Sequence, residues 1–419
     1  MHTELERQFN RSGNVLISDQ FNNRVVETNT RGDIVWSFGF GPNDFTVSSI
    51  IGVKDAERIG DKTLMVGAGL PPKVNSLVPN GVIDNRVILV SRDKQIIWQY
   101  GQFGIAGSGN NLLNTPVHCV FVPRGSVTRH RSKSRRRSSS DRKLRRNRRH
   151  SSEHKHARRQ PSDRRHKYDD STTERSTSDN SSNRNSNTET SNRSLSSDSR
   201  SDTDQDHGNC VLITDQGNNR VILVNNDKRI VWRYPLSNTK TTDRLNVPSS
   251  AQLLRNGNYL IADKNNNRAI EVNQRHRIVR TFTANNTLGA CSFASRLPNG
   301  NTLLTDSGNN RVVEVDRDDT AVWQYITNAE SKSATNSVPT RAVRLNNGYT
   351  LISDQYNNRV IKINRSNTII AQYGLPITGG GSSSNGTNVG YNTMSTQMGL
   401  YAPHDAKIIG DYTGLTAPN

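Results

Sequence analysis

The chain has 419 residues, a formal net charge of +19 and only 31% hydrophobic residues. No run of 18 apolar residues occurs, so we expect no membrane-spanning helix and no membrane partner. The charge is uneven, because residues 124–167 hold 19 Lys and Arg against three acids, while residues 168–207 hold four Arg against nine acids. The basic excess therefore belongs to one segment, and the remainder of the chain is only mildly basic.

One phrase recurs along the chain: a short apolar run, Asp, two variable residues, Asn-Asn-Arg and then alternating apolar residues. It occurs as NVLISDQFNNRVVET from Asn14, and again from Cys210, Tyr259, Thr302 and Thr350. A sixth, degenerate copy joins TLMVG at Thr63 to DNRVILV at Asp84. The arginines of the last four copies are 48, 43 and 48 residues apart, which is typical of propeller blades.

Each repeat contains four β segments in the same order. The first follows Pro or a small residue, as in PSSAQLL from Pro248, and an Asn-Gly turn leads to the second. The Asp-Asn-Asn-Arg turn joins the second to the third, and a segment of the form I-V-W-x-Y is the fourth. All four tryptophans occupy this fourth segment, where we expect them to pack between blades. The pattern predicts an all-β, six-bladed β-propeller with four-stranded antiparallel blades.

The two ends of the chain are predicted to close the ring. The tail from Tyr401 reads D-A-x-x-I-G-D-x-T, as does the segment from Lys54, so it resembles the first strand of a blade. The N-terminal repeat begins almost at its second strand, with only Leu5–Asn10 available before it. We expect the tail to supply the missing inner strand of blade 1, which leaves no exposed edge. A partial seventh blade is the alternative.

This pattern resembles the NHL-repeat family of β-propellers, which combines a Pro-led inner strand, an h-x-D strand and an N-x-R-I/V turn. The resemblance covers residues 5–125 and 208–419 and implies the fold, since such propellers include both enzymes and binding scaffolds. Repetition in every blade predicts a structural role for the motif charges, as ion pairs across the turns rather than a ligand-binding ring. These residues are Asp19, Arg24, Arg86, Asp215, Arg220, Asp263, Arg268, Asp306, Arg311, Asp354 and Arg359.

The third repeat is interrupted within the turn that other repeats make with Asn-Gly. PVHCVFVPRG from Pro116 matches the first half of a repeat, and GNCVLITD from Gly208 matches the second. Residues 1–125 and 208–419 are therefore predicted to form one propeller domain, and residues 126–207 a disordered insertion, because this segment has few apolar residues and many like charges.

The basic half of the insertion resembles the Arg/Ser-rich segments of RNA-processing proteins, which implies contact with RNA, DNA or another polyanion. The arginines expected to make it are Arg135, Arg136, Arg137, Arg145, Arg146, Arg148, Arg149, Arg158 and Arg159. Neighbouring serines are candidate kinase sites, and phosphorylation would reduce the positive charge. They are Ser132, Ser134 and Ser138, with Ser139 and Ser140. A solubilising or localising segment, including a nuclear import signal, is the alternative.

Candidate channel residues lie on the predicted inner strands. They are Asp55, His118, Arg341 and Asp405, with His404 adjacent. Asp55, His118 and Asp405 could hold Ca²⁺ or Zn²⁺, and otherwise no cofactor is expected. Arg341 could equally pair with either aspartate without a metal. The site resembles the channels of peptidylglycine amidating lyase and paraoxonase propellers only in part, because Phe293 and Arg341 interrupt their pattern of several channel His or Asp/Asn ligands.

Two function classes follow from these observations. The first is a non-enzymatic, monomeric scaffold that binds a protein or small ligand on the face with the long loops and a polyanion through the insertion. The second is a channel-centred hydrolase or lyase, or an enzyme similar to the arylsulfotransferase-like propellers, for which only His118 and His404 are placed as the catalytic histidine. The N-terminus shows no signal pattern, so we expect a cytoplasmic or nuclear location, or a virion if the source is viral. For the same reason we expect Cys119, Cys210 and Cys291 to be buried thiols rather than to form a disulfide.

Overall fold

The computed structural model describes residues 4–126, 208–329, 336–374, 399–412 and 415. These residues belong to one of two units of the chain, and the other unit is His130–Asp204. The predicted insertion lies outside the described residues, apart from Ser126, and so do its arginines and candidate kinase sites. None of the described residues forms a helix long and apolar enough to cross a membrane.

The described residues form 24 strands in six four-stranded antiparallel sheets. Blade 1 consists of β1 (Val15–Asp19), β2 (Arg24–Thr28), β3 (Ile34–Phe38) and the C-terminal β24 (Pro403–Ile408). Blade 2 consists of β4 (Val53–Ile59), β5 (Lys62–Leu70), β6 (Val82–Val90) and β7 (Ile96–Gly101). Blade 3 consists of β8 (Pro116–Val122), β9 (Cys210–Asp215), β10 (Arg220–Asn225) and β11 (Ile230–Tyr234).

The last three blades have the same order of strands. Blade 4 consists of β12 (Pro248–Leu253), β13 (Tyr259–Asp263), β14 (Arg268–Val272) and β15 (Ile278–Phe282). Blade 5 consists of β16 (Cys291–Arg296), β17 (Thr302–Asp306), β18 (Arg311–Val315) and β19 (Ala321–Ile326). Blade 6 consists of β20 (Pro339–Arg344), β21 (Thr350–Asp354), β22 (Arg359–Ile363) and β23 (Ile369–Tyr373). The predicted six-bladed propeller is confirmed.

The ring closes through the C-terminal tail. β24 pairs antiparallel with β1, and Ala406 lies opposite Ile17. Residues Glu6–Gln8 form a 3-10 helix rather than an inner strand. The tail therefore supplies the inner strand of blade 1, as predicted, and the alternative of a partial seventh blade is wrong.

The Asp-Asn-Asn-Arg turn ties each blade to itself and to the next one. In blade 4 the carboxylate of Asp263 accepts a hydrogen bond from Arg268 Nε at 2.8 Å, and its other oxygen accepts one from the Asn246 N–H at 2.8 Å. The last Asn of the motif is left-handed, as at Asn219 with φ 49°. The Asn219 side chain accepts a hydrogen bond from Val247 N–H at 2.7 Å, in the connection to the next blade. These contacts explain why the motif needs Asp, Asn and Arg together.

A second set of repeated contacts joins neighbouring blades. Arg296 of β16 pairs with Glu271 of β14 at 3.1 Å, and its guanidinium lies 5.2 Å from the ring centroid of Phe282. The pairs Glu27–Arg58 and Glu314–Arg344 repeat this arrangement beside Trp36 and Trp323. Between blades 3 and 4 the same two positions are apolar, Leu223 and Leu253, and Trp232 stacks on Tyr259 at 3.8 Å. The tryptophans thus pack between blades, as predicted.

The hairpin that flanks the predicted insertion is intact. Val122 at the end of β8 lies opposite Cys210 at the start of β9, and Arg124 N–H donates to Asn209 Oδ1 at 3.0 Å. Cys119, Cys210 and Cys291 are buried free thiols.

Candidate functional site

The mouth of the central channel is built by a repeated irregularity of the inner strands. Each of the six inner strands pairs with its neighbour through a β-bulge between its first and third residues. A bulge leaves one residue unpaired and re-aims its side chain. The six bulge residues are Lys54, Val117, Ser249, Ser292, Thr340 and His404. All six line one cavity of about 250 Å³.

A second ring of side chains completes the cavity. Five blades contribute the residue that directly follows the motif aspartate: Gln20, Gln216, Lys264, Ser307 and Gln355. Several of these groups are fixed by hydrogen bonds, since Thr340 Oγ1 donates to the His404 carbonyl at 2.6 Å and Gln355 Nε2 donates to Gln20 Oε1 at 2.8 Å. Phe21 and Tyr356 add aromatic surface. The cavity is therefore a preformed, mainly polar site.

The charge of the cavity is entirely positive. Lys54 and Lys264 are its charged residues, and no Asp or Glu is among the described residues that line it. Burial, together with the positive charge of Lys264, lowers the pKa of Lys54 to about 7. Burial also lowers the pKa of Lys264. Within the described part of the chain neither ammonium forms an ion pair with a carboxylate, so both positive charges lack compensation there.

His404 also lines the cavity, beside Lys54. Its Nδ1 is 2.8 Å from the carbonyl oxygen of Lys54, which assigns the ring proton to Nδ1 and leaves Nε2 as an acceptor. Burial and the charge of Lys54 hold the pKa of His404 well below its usual value. The residue is therefore a neutral imidazole held in one orientation.

One residue deeper, the channel is closed by a network of opposite charges that we call the waist. Arg341 is 3.0 Å from Asp55 and 2.7 Å from Asp405. Lys407 is 2.9 Å from Asp405 and also contacts Asp55. The guanidinium of Arg341 lies 4.1 Å from the ring centroid of Phe293. These four charged side chains are buried and balance one another.

The waist shifts the protonation of the groups around it. Burial raises the pKa of Asp55, but the nearby Lys407, His118 and Arg341 more than offset this and hold it well below its usual value. Burial raises the pKa of Asp405 to about 6 and that of Glu57 to about 8. Burial lowers the pKa of His118 to about 3, although Asp55 lies 3.6 Å from its Nε2. The result is a set of four carboxylate–cation contacts beside a neutral histidine.

The predicted channel residues thus separate into two layers. Asp55, His118, Arg341 and Asp405 meet at the waist, whereas His404 faces the mouth. Arg341 and Lys407 form ion pairs with both carboxylates, which is the metal-free alternative that the sequence left open. Among the described residues no group of three or more His, Cys, Asp and Glu is arranged to hold a metal ion, and Ca²⁺ or Zn²⁺ binding stays a prediction.

Sequence reasoning missed the three lysines of the channel. Lys407 lies two residues beyond Asp405 on β24, so alternation along the strand could have placed it in the channel. Lys54 is a bulge residue, and Lys264 occupies a motif turn that was assigned to structure. The useful signal was that the residue after the motif Asp varies between Gln, Lys and Ser while its neighbours repeat.

Comparison with known proteins assigns the chain to no family. No family model and no curated protein matches it. Virginiamycin B lyase from Staphylococcus aureus is 11% identical over 88% of this chain and 82% of that chain, with a TM-score of 0.45. A streptogramin B lyase is 10% identical over 87% and 80%, with a TM-score of 0.45.

A third solved structure is a protein of unknown function from Bacteroides caccae. It is 10% identical over 86% of this chain and 93% of that chain, with a TM-score of 0.45. Likenesses this distant carry no argument about activity. Membership of the NHL-repeat family accordingly stays a prediction.

Proposed function

We propose that this propeller binds a small anionic ligand, with a carboxylate, sulfate or phosphate group, in the mouth of its channel. The observation that carries the proposal is the pair Lys54 and Lys264 in a cavity whose described lining includes no acid. Partly buried cations without a partner are unfavourable, and an anion within hydrogen-bonding distance would compensate them. The site would then hold a ligand rather than stabilise the fold.

The remainder of the lining supports a ligand that has polar and apolar parts beside its anionic group. Gln20, Gln216 and Gln355 offer amide groups, while Phe21 and Tyr356 offer apolar surface. A pocket with a few convergent polar groups and apolar walls fixes the orientation of a small molecule. We therefore favour an organic anion over an inorganic ion, with inorganic ions as useful probes.

Calorimetric titration of the full-length protein with succinate, sulfate and phosphate at about pH 6 tests the proposal. A charge-assisted hydrogen bond contributes about 1.5–3 kcal/mol, so Lys54→Met and Lys264→Met should each weaken binding by about tenfold or more. Lys94→Met is the matched control, because Lys94 is an exposed lysine on an outer turn. Equal binding by all variants, or no binding of any of the three anions, would refute the proposal.

His404 favours a second candidate, a channel-centred hydrolase or lyase. A neutral histidine held by a carbonyl through Nδ1 can act as a general base through Nε2. The neighbouring hydroxyls are less suited to act as nucleophiles, since Ser249 Oγ, Ser292 Oγ and Thr340 Oγ1 all contact backbone carbonyls. Turnover that His404→Gln abolishes without loss of anion binding would establish the enzyme. Stoichiometric metal lost in an Asp55→Ala/His118→Ala variant would establish its metal-dependent form.

The predicted polyanion contact of residues 126–207 remains a separate part of the proposed function. It is supported by the 19 Lys and Arg of residues 124–167 and by their generic attraction to phosphate. Neutralising the nine arginines that the sequence predicts to make this contact should weaken binding of RNA and reduce its dependence on salt. Unchanged binding would favour the solubilising or localising alternative.

A further inference from the structure

The outer turns of the blades share one geometry but carry different charges. Each turn between the third and fourth strands has five residues, of which the fourth has a positive φ, as at Lys228 (62°) and His276 (61°). In blades 3 and 4 the side chain of the first residue holds the turn, because Asn225 accepts from Arg229 N–H at 2.9 Å and Asn273 accepts from Arg277 N–H at 3.0 Å. Charges on these turns are therefore held by a fixed backbone.

The turns of blades 3 and 4 also pack on the fourth strand of the preceding blade. The Trp98 indole N–H of blade 2 donates to the Asn226 carbonyl in the turn of blade 3 at 3.4 Å. The rings of Trp232 in blade 3 and His276 in the turn of blade 4 lie 5.6 Å apart between centroids. The turn of blade 4 thus lies against β11, the outer strand of blade 3 that also carries Arg233.

The result is a surface that we call the basic ridge. It consists of Lys228, Arg229, Arg233, Arg275 and Arg277. The four arginines are exposed, and within the described part of the chain none of the five forms an ion pair with a carboxylate. Asp227 is the acid of these two turns.

The ridge is not a consequence of the repeat. In blade 1 the equivalent turn is neutral, because Arg31 pairs with Asp33 at 3.1 Å. In blade 5 it reads Asp-Arg-Asp-Asp-Thr from Asp316 and is acidic. The same backbone geometry therefore presents opposite charges on blades 4 and 5, so the repeat does not itself require the positive charge of blades 3 and 4.

We propose that the basic ridge binds the phosphate backbone of a nucleic acid. Four of its five cations are arginines, whose planar guanidinium matches phosphate with two parallel hydrogen bonds. Trp232 is covered by Tyr259 and His276, so no exposed ring of the ridge stacks on bases, and the binding is independent of base sequence. The ridge shares no residue with the mouth or with the predicted insertion.

Fluorescence anisotropy of the full-length protein with a labelled RNA of about 20 nucleotides, between about 50 and 200 mM salt, tests the ridge. The ridge variant carries Arg229→Gln, Arg233→Gln, Arg275→Gln and Arg277→Gln. The matched control replaces four exposed arginines elsewhere, Arg7, Arg11, Arg31 and Arg317, by Gln. Each lost phosphate contact lowers the slope of log K against log salt by about 0.7–0.9, so the ridge variant should lose about 3 from its slope and the control almost nothing.

A third variant, with the nine arginines of the predicted polyanion contact replaced by Gln, separates the ridge from the insertion. Introducing the ridge substitutions into that variant should still lower the slope, since the two sets of charges are independent. Equal slopes for the ridge and control variants would overturn the proposal. Displacement of the labelled RNA by polyglutamate as effectively as by unlabelled RNA would also overturn it, because the partner of the ridge would then be an acidic protein. Lys54→Met should not affect RNA binding, and the ridge variant should not affect anion binding at the mouth, so the two proposals fail separately.

Discussion

The waist and the mouth of the channel are built by adjacent residues of the same strands, yet they treat positive charge in opposite ways. At the waist Arg341 and Lys407 face Asp55 and Asp405, and all four are buried. At the mouth Lys54 and Lys264 face amides, hydroxyls and aromatic rings. A buried cation with its acid is explained by the fold, whereas a cation without one calls for a ligand. The contrast separates structural from functional charge in a protein whose repeat places both kinds in one channel.

The largest effect is expected at the waist. Arg341→Ala leaves two carboxylates in a buried site with only Lys407, and breaking such a network by removing one partner costs about 3–5 kcal/mol. Lys264→Met is the counterpart at the mouth and should change the free energy of unfolding by no more than about 0.5 kcal/mol, because it removes a charge that has no acid partner among the described residues. Urea unfolding of both variants measures the difference. Similar losses for both would show that the two layers are not distinct.

The pH dependence of anion binding sharpens the comparison at the mouth. A pKa of about 7 means that Lys54 changes from mostly protonated to mostly neutral as the pH rises through neutrality. Affinity for an anion should therefore fall by about tenfold between about pH 6 and pH 8. Sulfate is the suitable probe, since its charge is constant there, and burial holds the pKa of His404 well below its usual value, which favours the neutral imidazole.

Calorimetry across this pH range, with Lys54→Met as the control, decides the matter. The variant should bind sulfate weakly and with little dependence on pH, because Lys264 is then the remaining cation of the described lining. A wild-type affinity that is constant with pH would assign anion binding to a group other than Lys54.

The fold was predictable because several independent features of the repeat indicate the same structure. Asp, the left-handed Asn and Arg recur with the apolar alternation of strands, and the tail carries the sequence of an inner strand. The waist was also accessible, since aligning the inner strands places Asp55, Arg341 and Asp405 at one level. At the mouth the sequence indicated only His404, because a bulge adds one residue without a sequence signal and brings Lys54 to the rim.

The contacts between blades were missed for a different reason. Glu271 and Arg296 lie 25 residues apart and belong to different blades, so neither stands out within a repeat. Comparison of the six repeats shows that Glu on the third strand accompanies Arg on the next inner strand, whereas Leu223 accompanies Leu253. Pairing of positions across neighbouring repeats would have revealed them.

The smallest effect is expected where a partly buried ion pair can be exchanged for an apolar one. The double variant Glu271→Leu/Arg296→Leu copies Leu223 and Leu253 of the neighbouring junction and should unfold within about 1 kcal/mol of the wild type. Arg296→Leu alone leaves Glu271 with Asn256 and Asn258 as partners and should cost about 1–3 kcal/mol. A double-mutant cycle by urea unfolding measures the coupling. If the double variant loses as much free energy of unfolding as its two single variants together, the Glu271–Arg296 contact adds no stability of its own. An ion pair outside the waist would then not be explained by the fold.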